Sequence, residues 1–179
     1  ADYPVTAFSL TGYSGGGKKM IAAYEGEKTT DLLSPRQYGL GQTHKHLPEI
    51  VTICHLADKP MFSPIVDDYY SGMEVTVPVF TKLLKGAPGI QDVWETLAAH
   101  YDGCDFIHVR PLGEDKGGFL AANDMSGRDD MEIFVTGNDQ RILLTSIFDN
   151  LGKGASGAAI ENMNIMLGID PKTGLNLGD

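Results

Sequence analysis

The chain has 179 residues, 42% of them hydrophobic and 21% charged, which supports one globular domain with a sizeable core and excludes disorder. A net charge of −10 argues against nucleic acid or an anionic membrane surface as partner, because both select a basic face. The two cysteines, Cys54 and Cys104, lack zinc or disulfide-scaffold spacing, and no apolar run is long enough for a membrane span or a leader, so a metal-free cytoplasmic protein is expected.

Val5–Thr11 (VTAFSLT) reads as a buried strand that feeds the loop Gly12–Lys18 (GYSGGGK) and a short helix over Lys19–Glu27. Pro48 opens a second helix, where the missing N–H of proline costs nothing. Ile50, Ile53, Cys54 and Ala57 fall on one face of it, which predicts a core role for the Cys54 thiol. Met73–Phe80 alternates like a half-buried strand, and its Pro78 predicts an edge position or a bulge. Ile90, Val93, Trp94, Leu97, Ala98 and Tyr101 share helical spacing.

Four further strands are expected at Asp105–Arg110, Gly118–Ala122, Met131–Thr136 and Arg141–Phe148, with Gly137–Gln140 as a hairpin turn between the last two. Lys153–Leu167 is the last helix, with Gly168 just past its end. Ala155, Ala158, Ala159, Ile160, Met163, Ile165, Met166 and Leu167 make it apolar on more than one face, so it needs cover on more than one side. Strands outnumber helices without strict alternation, which predicts α+β with a mostly antiparallel sheet and helices on one face. A complete Rossmann fingerprint is not found.

Three segments can carry chemistry. The glycines of Gly12–Lys18 let backbone N–H groups approach an anion closely, and Ser14 adds a hydroxyl. The loop nearly matches a P-loop, but Lys19 stands where the Mg²⁺-binding Ser/Thr belongs. In His44-Lys-His46-Leu-Pro48-Glu49, His46 lies at the start of a helix, whose dipole disfavours imidazolium; a neutral histidine there suits general acid/base work. As a metal pair the two histidines lack support, although Glu49 or His55 could add a third ligand. In Asp149–Ala159, Gly154 and Gly157 leave room for a second backbone or a ligand ring. His100, His108 and Arg110 match no motif and read as structural or surface groups.

In this order, Gly12–Lys18 (GYSGGGK), Tyr38 with His44–Ile50 (HKHLPEI), and Asp149–Gly168 (DNLGKGASGAAIENMNIMLG) resemble N-acetyl-gamma-glutamyl-phosphate reductases of the shorter, type 2 branch, and more distantly aspartate-semialdehyde dehydrogenases. The resemblance implies the glyceraldehyde-3-phosphate-dehydrogenase-like C-terminal fold, an α+β domain with a mostly antiparallel mixed sheet. It implies a substrate and oligomerisation domain over 1–149, a helix over 150–168 that packs on a nucleotide-binding domain, and a tail over 169–179. The family reduces an acyl phosphate with NADPH, in the arginine pathway, through a cysteine in a Cys-Tyr-Pro-Thr-like motif. The resemblance places the acid/base role on His46, substrate contacts on Ser14, Gly15, Gly16, Tyr38 and His44, and cofactor contacts on Asn150, Lys153 and Gly154. It also implies a homo-oligomer. Neither cysteine here matches the nucleophile motif, which in the family lies upstream together with the Rossmann half. The chain is therefore expected to need that nucleotide-binding domain and to be inactive alone. Two alternatives are a P-loop-like nucleotide-binding protein built on Gly12–Lys18 and a non-catalytic domain that dimerises through its sheet.

Overall fold

A computed structural model describes residues 3–178. Among the described residues, seven strands form one mixed sheet in the order β2-β3-β1-β4-β7-β6-β5. They are β1 (Thr6–Gly12), β2 (Arg36–Gln37), β3 (Met61–Asp67), β4 (Met73–Phe80), β5 (Ile107–Val109), β6 (Met131–Asn138) and β7 (Arg141–Phe148). The pairs β1·β3 and β5·β6 are parallel, and the pairs β1·β4, β2·β3, β4·β7 and β6·β7 are antiparallel. The helices are α1 (Gly17–Glu25), α2 (Leu47–Ile53), α3 (Ile90–His100) and α4 (Gly157–Leu167).

Side chains on a strand alternate between faces, so the register sorts the core. One face carries Ala7 and Phe62 against Leu47 of α2, Val66 against Tyr24 of α1, and Val79, Val135 and Ile142 against Ile90, Val93, Trp94 and Leu97 of α3. Three helices thus share one face, as the sequence pattern requires. α3 starts cleanly because Asp92 accepts the Gly89 N–H and Asp139 accepts the Ile90 N–H, satisfying two of its first donors.

The opposite face is divided. Over β6 and β7, Leu120 and Met125 cover Phe134 and Ile147, which are both at 0% exposure. Charged groups staple this cover down: Lys116 reaches Asp124 and Glu132, Arg110 reaches Glu114 and Glu132, and Arg128 and His108 both reach the buried Asp130. Over β1, β3 and the adjoining parts of β4 and β7, the described residues place no such cover on the same face. Phe8, Met61 and Leu143 are exposed there, with Leu10, Ile65 and Thr76 half-buried among them.

Two local expectations are corrected and a third is refined. Gly118–Ala122 is not a strand; Gly117 and Gly118 sit at φ +77° and +89°, and the Gly118 N–H turns back to the Asp115 carbonyl. Cys54 is exposed and not a core thiol, because α2 ends at Ile53 and only its first residue, Leu47, is buried. Pro78 has the edge position expected of it, without a bulge in its pairing to β7, although its strand lies inside the sheet. It is tolerated because β1 pairs only Met73–Thr76, so β4 at Pro78 has a strand neighbour on one side alone.

The C-terminal helix begins as a wide π turn over Gly152–Ser156 and closes at Gly168, whose left-handed φ of +69° suits glycine. Its apolar side is open: Met163, Ile165, Met166 and Leu167 are exposed. The tail beyond it is tied back. Asn164 donates to the Pro171 and Thr173 carbonyls, and Asn176 bonds to Asp129 and Gly127.

These burials predict contrasting stabilities. Phe134→Ala should cost about 3–5 kcal/mol in urea unfolding, since its cavity cannot collapse under the stapled cover. Phe119→Ala, at a side chain 84% exposed, should stay within about 0.5 kcal/mol. Similar losses at both positions would mean that the 111–130 segment does not pack as described.

Candidate active site

A cavity of about 390 Å³ opens on the helical face of the sheet. Its floor follows from register. Thr11 pairs with Val66 on one side and Met73 on the other, and Met73 pairs with Phe148. These four residues form one cross-strand row, and all four line the cavity. One wall is Gly15, Gly16 and Met20 at the entrance to α1; another is Tyr38, His44, Lys45 and His46, backed by Phe62; the third is Asn150 and Gly154.

The glycine loop is fixed by its backbone. The N–H groups of Gly12, Tyr13 and Ser14 donate to the carbonyls of Gly72, Tyr69 and Tyr70. A Cβ on Gly12 would meet the Tyr70 carbonyl and lie 2.8 Å from that of Tyr69, so only glycine lets these two segments touch. Gly17, at φ +72°, turns the chain into α1. Three N–H groups at the start of the loop are therefore already taken by neighbouring carbonyls.

Asn150 joins two walls. Its Nδ2 donates to Ser14 Oγ at 3.0 Å, and its Oδ1 accepts the Gly72 N–H at 2.8 Å. Ser14 is itself buried and does not line the cavity; its hydroxyl serves this clasp. Lys153 also lies off the cavity, ion-paired to Glu161 at 2.8 Å and stacked over the Phe106 ring.

The two histidines stand side by side, with ring centroids 5.0 Å apart. His46 precedes the first residue of α2, and its Nδ1 lies 2.6 Å from Glu49 Oε2. A carboxylate can only accept, so Nδ1 carries the proton and Nε2 is left for proton transfer. His44 Nδ1 accepts the His46 backbone N–H at 3.3 Å, which puts the His44 proton on Nε2. The His44 ring meets Phe62 edge-on at 5.2 Å and Tyr38 at 5.9 Å. Burial, then the charges of His46 and Lys45, hold His44 below the ordinary imidazole range, and burial raises the Tyr38 phenol.

The structure thus brings together Gly15, Gly16, Tyr38, His44, His46, Asn150 and Gly154, and leaves Ser14 and Lys153 behind the wall. It adds Lys45, which motif reading passed over as the middle residue of a histidine pair. Lys45 is the cation of the lining, beside two neutral imidazoles, and no carboxylate stands among the described lining residues, so the site is mildly cationic in an acidic chain. Such a cavity takes an anion and offers it a proton donor or acceptor. Neither cysteine lines it, and no three His, Cys, Asp or Glu side chains among the described residues gather as a metal site.

Comparison with known proteins bears on this geometry. The family model for the semialdehyde dehydrogenase dimerisation domain matches residues 1–150. N-acetyl-gamma-glutamyl-phosphate reductases of Brucella ovis and Brucella suis are 43% identical over 173 residues, covering 94% of this chain and 56% of theirs. The chain therefore spans about half the length of these relatives. Among solved structures, aspartate semialdehyde dehydrogenase II of Vibrio cholerae superposes with a TM-score of 0.63 at 15% identity, over 91% of this chain and 54% of its own. The Francisella tularensis aspartate semialdehyde dehydrogenase gives 0.60 at 14% identity, over 90% and 57%. These two share the fold.

The lowered titration of His44 has a consequence for stability. The unfolded chain takes up this proton near the ordinary value of 6.5, while the folded chain resists it until lower pH. The unfolded state therefore binds more protons in that window, and stability falls as pH drops from about 6.5 toward the folded value. His44→Gln should lose part of the decline in unfolding free energy between about pH 7.5 and pH 5.5 in urea titrations. An unchanged pH dependence would show that His44 is not held neutral by the fold.

Proposed function

The chain belongs to the semialdehyde dehydrogenase dimerisation-domain family, and from that premise we propose that it is the substrate-binding and dimer-forming portion of an NADPH-dependent N-acetyl-gamma-glutamyl-phosphate reductase. The observation that carries this reading is the cavity whose described lining holds Lys45, His44 and His46 and no carboxylate, with His46 held from behind by Glu49. The 43% identity to Brucella reductases supports the choice of substrate over other acyl phosphates.

In this reading the substrate's phosphate and carboxylate lie toward Lys45 and His44, and the reacting carbonyl lies toward His46. His46 Nε2 moves the proton, while Glu49 holds the ring and stabilises the imidazolium that forms in between. Gly15 and Gly16 let the ligand approach the backbone. The thiol nucleophile comes from outside these 179 residues, since neither Cys54 nor Cys104 reaches the cavity. NADPH supplies the hydride when bound. In this reading Asn150 and Gly154 would edge its nicotinamide: a Cβ on Gly154 would come within 3.2 Å of the Phe148 ring, so glycine keeps that wall low. The open apolar side of α4 suits packing against the nucleotide-binding portion that holds the rest of the cofactor. No helix among the described residues is long and apolar enough to cross a membrane, and a cytoplasmic biosynthetic role is part of the same proposal.

The uncovered sheet face around Phe8, Leu10, Ile65 and Leu143 is the surface for pairing with a second copy.

Two outcomes test this reading. In the native protein that contains this chain, His46→Asn should lower kcat by ~10²–10⁴ with little change in KM, and His44→Asn should cost less. Equal, small effects would reduce both to surface histidines. The 179-residue chain alone should neither reduce the acyl phosphate nor oxidise the semialdehyde; turnover by it would overturn the assignment of the nucleophile to an outside segment. The dimer has its own test: Leu143→Glu should convert a sedimenting dimer to monomer without unfolding it, whereas an unchanged mass would place the interface elsewhere.

A further inference from the structure

The segment that carries Tyr38, His44, Lys45 and His46 contains only two residues of strand, Arg36 and Gln37, before it reaches α2. Something must hold it, because a site on an unpinned loop is imprecise. The anchor lies along β3. β2 covers that strand only at Ile65 and Val66, so the backbone groups of Pro64 and Phe62 on the same edge lack a strand partner. Pro64 has no N–H, and its carbonyl accepts the Tyr38 N–H at 3.0 Å. Phe62 has both groups, and one side chain satisfies both. Gln42 Nε2 donates to the Phe62 carbonyl at 2.8 Å, and Gln42 Oε1 accepts the Phe62 N–H at 3.0 Å.

A carboxamide has the same donor and acceptor as a peptide group, so Gln42 completes the edge of β3 as another strand would. The chain accepts backbone strain to place it there: Gln42 sits at φ +53°, in a turn closed by its own N–H to the Gly39 carbonyl. The clamped residue is also the one the site needs. Phe62 lines the cavity and meets the His44 ring edge-on, and His44 in turn accepts the His46 N–H.

We propose that Gln42 is a positioning residue for the His44–His46 pair, acting through its two-point clamp on the Phe62 backbone. The proposal rests on the reading of His46 as the acid/base. Gln42 does not line the cavity, so its role is the orientation of groups that do.

Two substitutions separate orientation from bulk folding. Gln42→Glu keeps the reach and the acceptor but loses the donor and sets a carboxylate oxygen against the Phe62 carbonyl. Gln42→Asn keeps a residue that tolerates the left-handed backbone but falls one methylene short. In the native protein that contains this chain, each should lower kcat by ~10–100-fold, the scale of a small misplacement of a catalytic group, with KM changed less than about threefold. In a His46→Asn background the same substitutions should cost less than about twofold, because the group they position is gone. If their effects on kcat instead multiply with that of His46→Asn, or if neither substitution lowers kcat while His46→Asn does, the proposal is overturned and the proposed function stands.

A small effect of His46→Asn itself would remove the proposed function, and the clamp is then decided on the 179-residue chain. The ¹⁵N shifts of the His44 ring should report a fixed Nε2–H form in the wild type and a tautomer average in Gln42→Glu and in Gln42→Asn. Unchanged ring shifts in a folded variant would overturn the clamp, and if one variant fails to fold the other gives the same readout.

Discussion

Pairing of β1 with β3 and β4, and of β4 with β7, sets Val66, Thr11, Met73 and Phe148 in a single row across four strands, and the cavity stands on that row. The arrangement is stringent because side chains alternate with a period of two. A one-residue slip in any pair would replace floor residues by their neighbours from the opposite face, such as Leu10, Glu74 or Ile147. Glu74 would then put a carboxylate under a cavity whose described lining has none. The apolar face set by Ala7, Phe62, Val79 and Ile142 against the helices holds the register, so the core and the site are specified by the same alternation.

On that floor the walls come from separate parts of the chain, joined by polar groups whose hydrogen bonds leave little freedom. Asn150 is the central case. One carboxamide binds the Gly72 N–H and the Ser14 hydroxyl, connecting the end of β7 with the turn before β4 and the glycine loop. Loss of either contact would strand a part-buried donor or acceptor, which costs more than the bond itself contributes. Gln42 plays the matching role on the opposite wall. The two clamps act on different backbones, yet both keep local irregular chain in contact with a regular strand. A cavity of this size can thus retain its shape without help from a bound ligand.

Much of this was legible because it is local. The strand-to-helix glycine loop, the helix opened by Pro48, the hairpin turn expected at Gly137–Gln140 and found one residue later, and the Gly168 cap each depend on residues within a few positions of one another. The histidine pair and Tyr38 were legible by resemblance, and the structure places them on one wall. What escaped was set by partners far along the chain. Lys45 faces the cavity because the loop is docked on β3, and Ser14 faces away from it because Asn150, 136 residues later, claims its hydroxyl. The Gly118–Ala122 segment has strand-like residues, but paired glycines at positive φ turn it into a cover for Phe134. Cys54 keeps helical spacing from Ile50, yet the helix stops before that face meets the core.

The two faces of the sheet are closed in different ways. The helical face carries the cavity and is closed by α1, α2 and α3. The other face is closed over β6 by ion pairs rather than by a helix, with Asp130 buried between Arg128 and His108. A buried carboxylate is tolerated only where cations and donors compensate its lost hydration. Arg128 provides this and also donates to the Leu177 carbonyl, while its neighbour Asp129 exchanges backbone and side-chain hydrogen bonds with Asn176. The same turn donates the Gly127 N–H to Asp149, the residue before Asn150. The tail after α4 is therefore bonded to the turn that fixes the start of the Asn150 clasp. Its hydrogen bonds hold the base of α4 in place while leaving Met163, Met166 and Leu167 uncovered. A helix with a fixed base and an open apolar side is already ordered, so burial of that side would cost little further chain entropy.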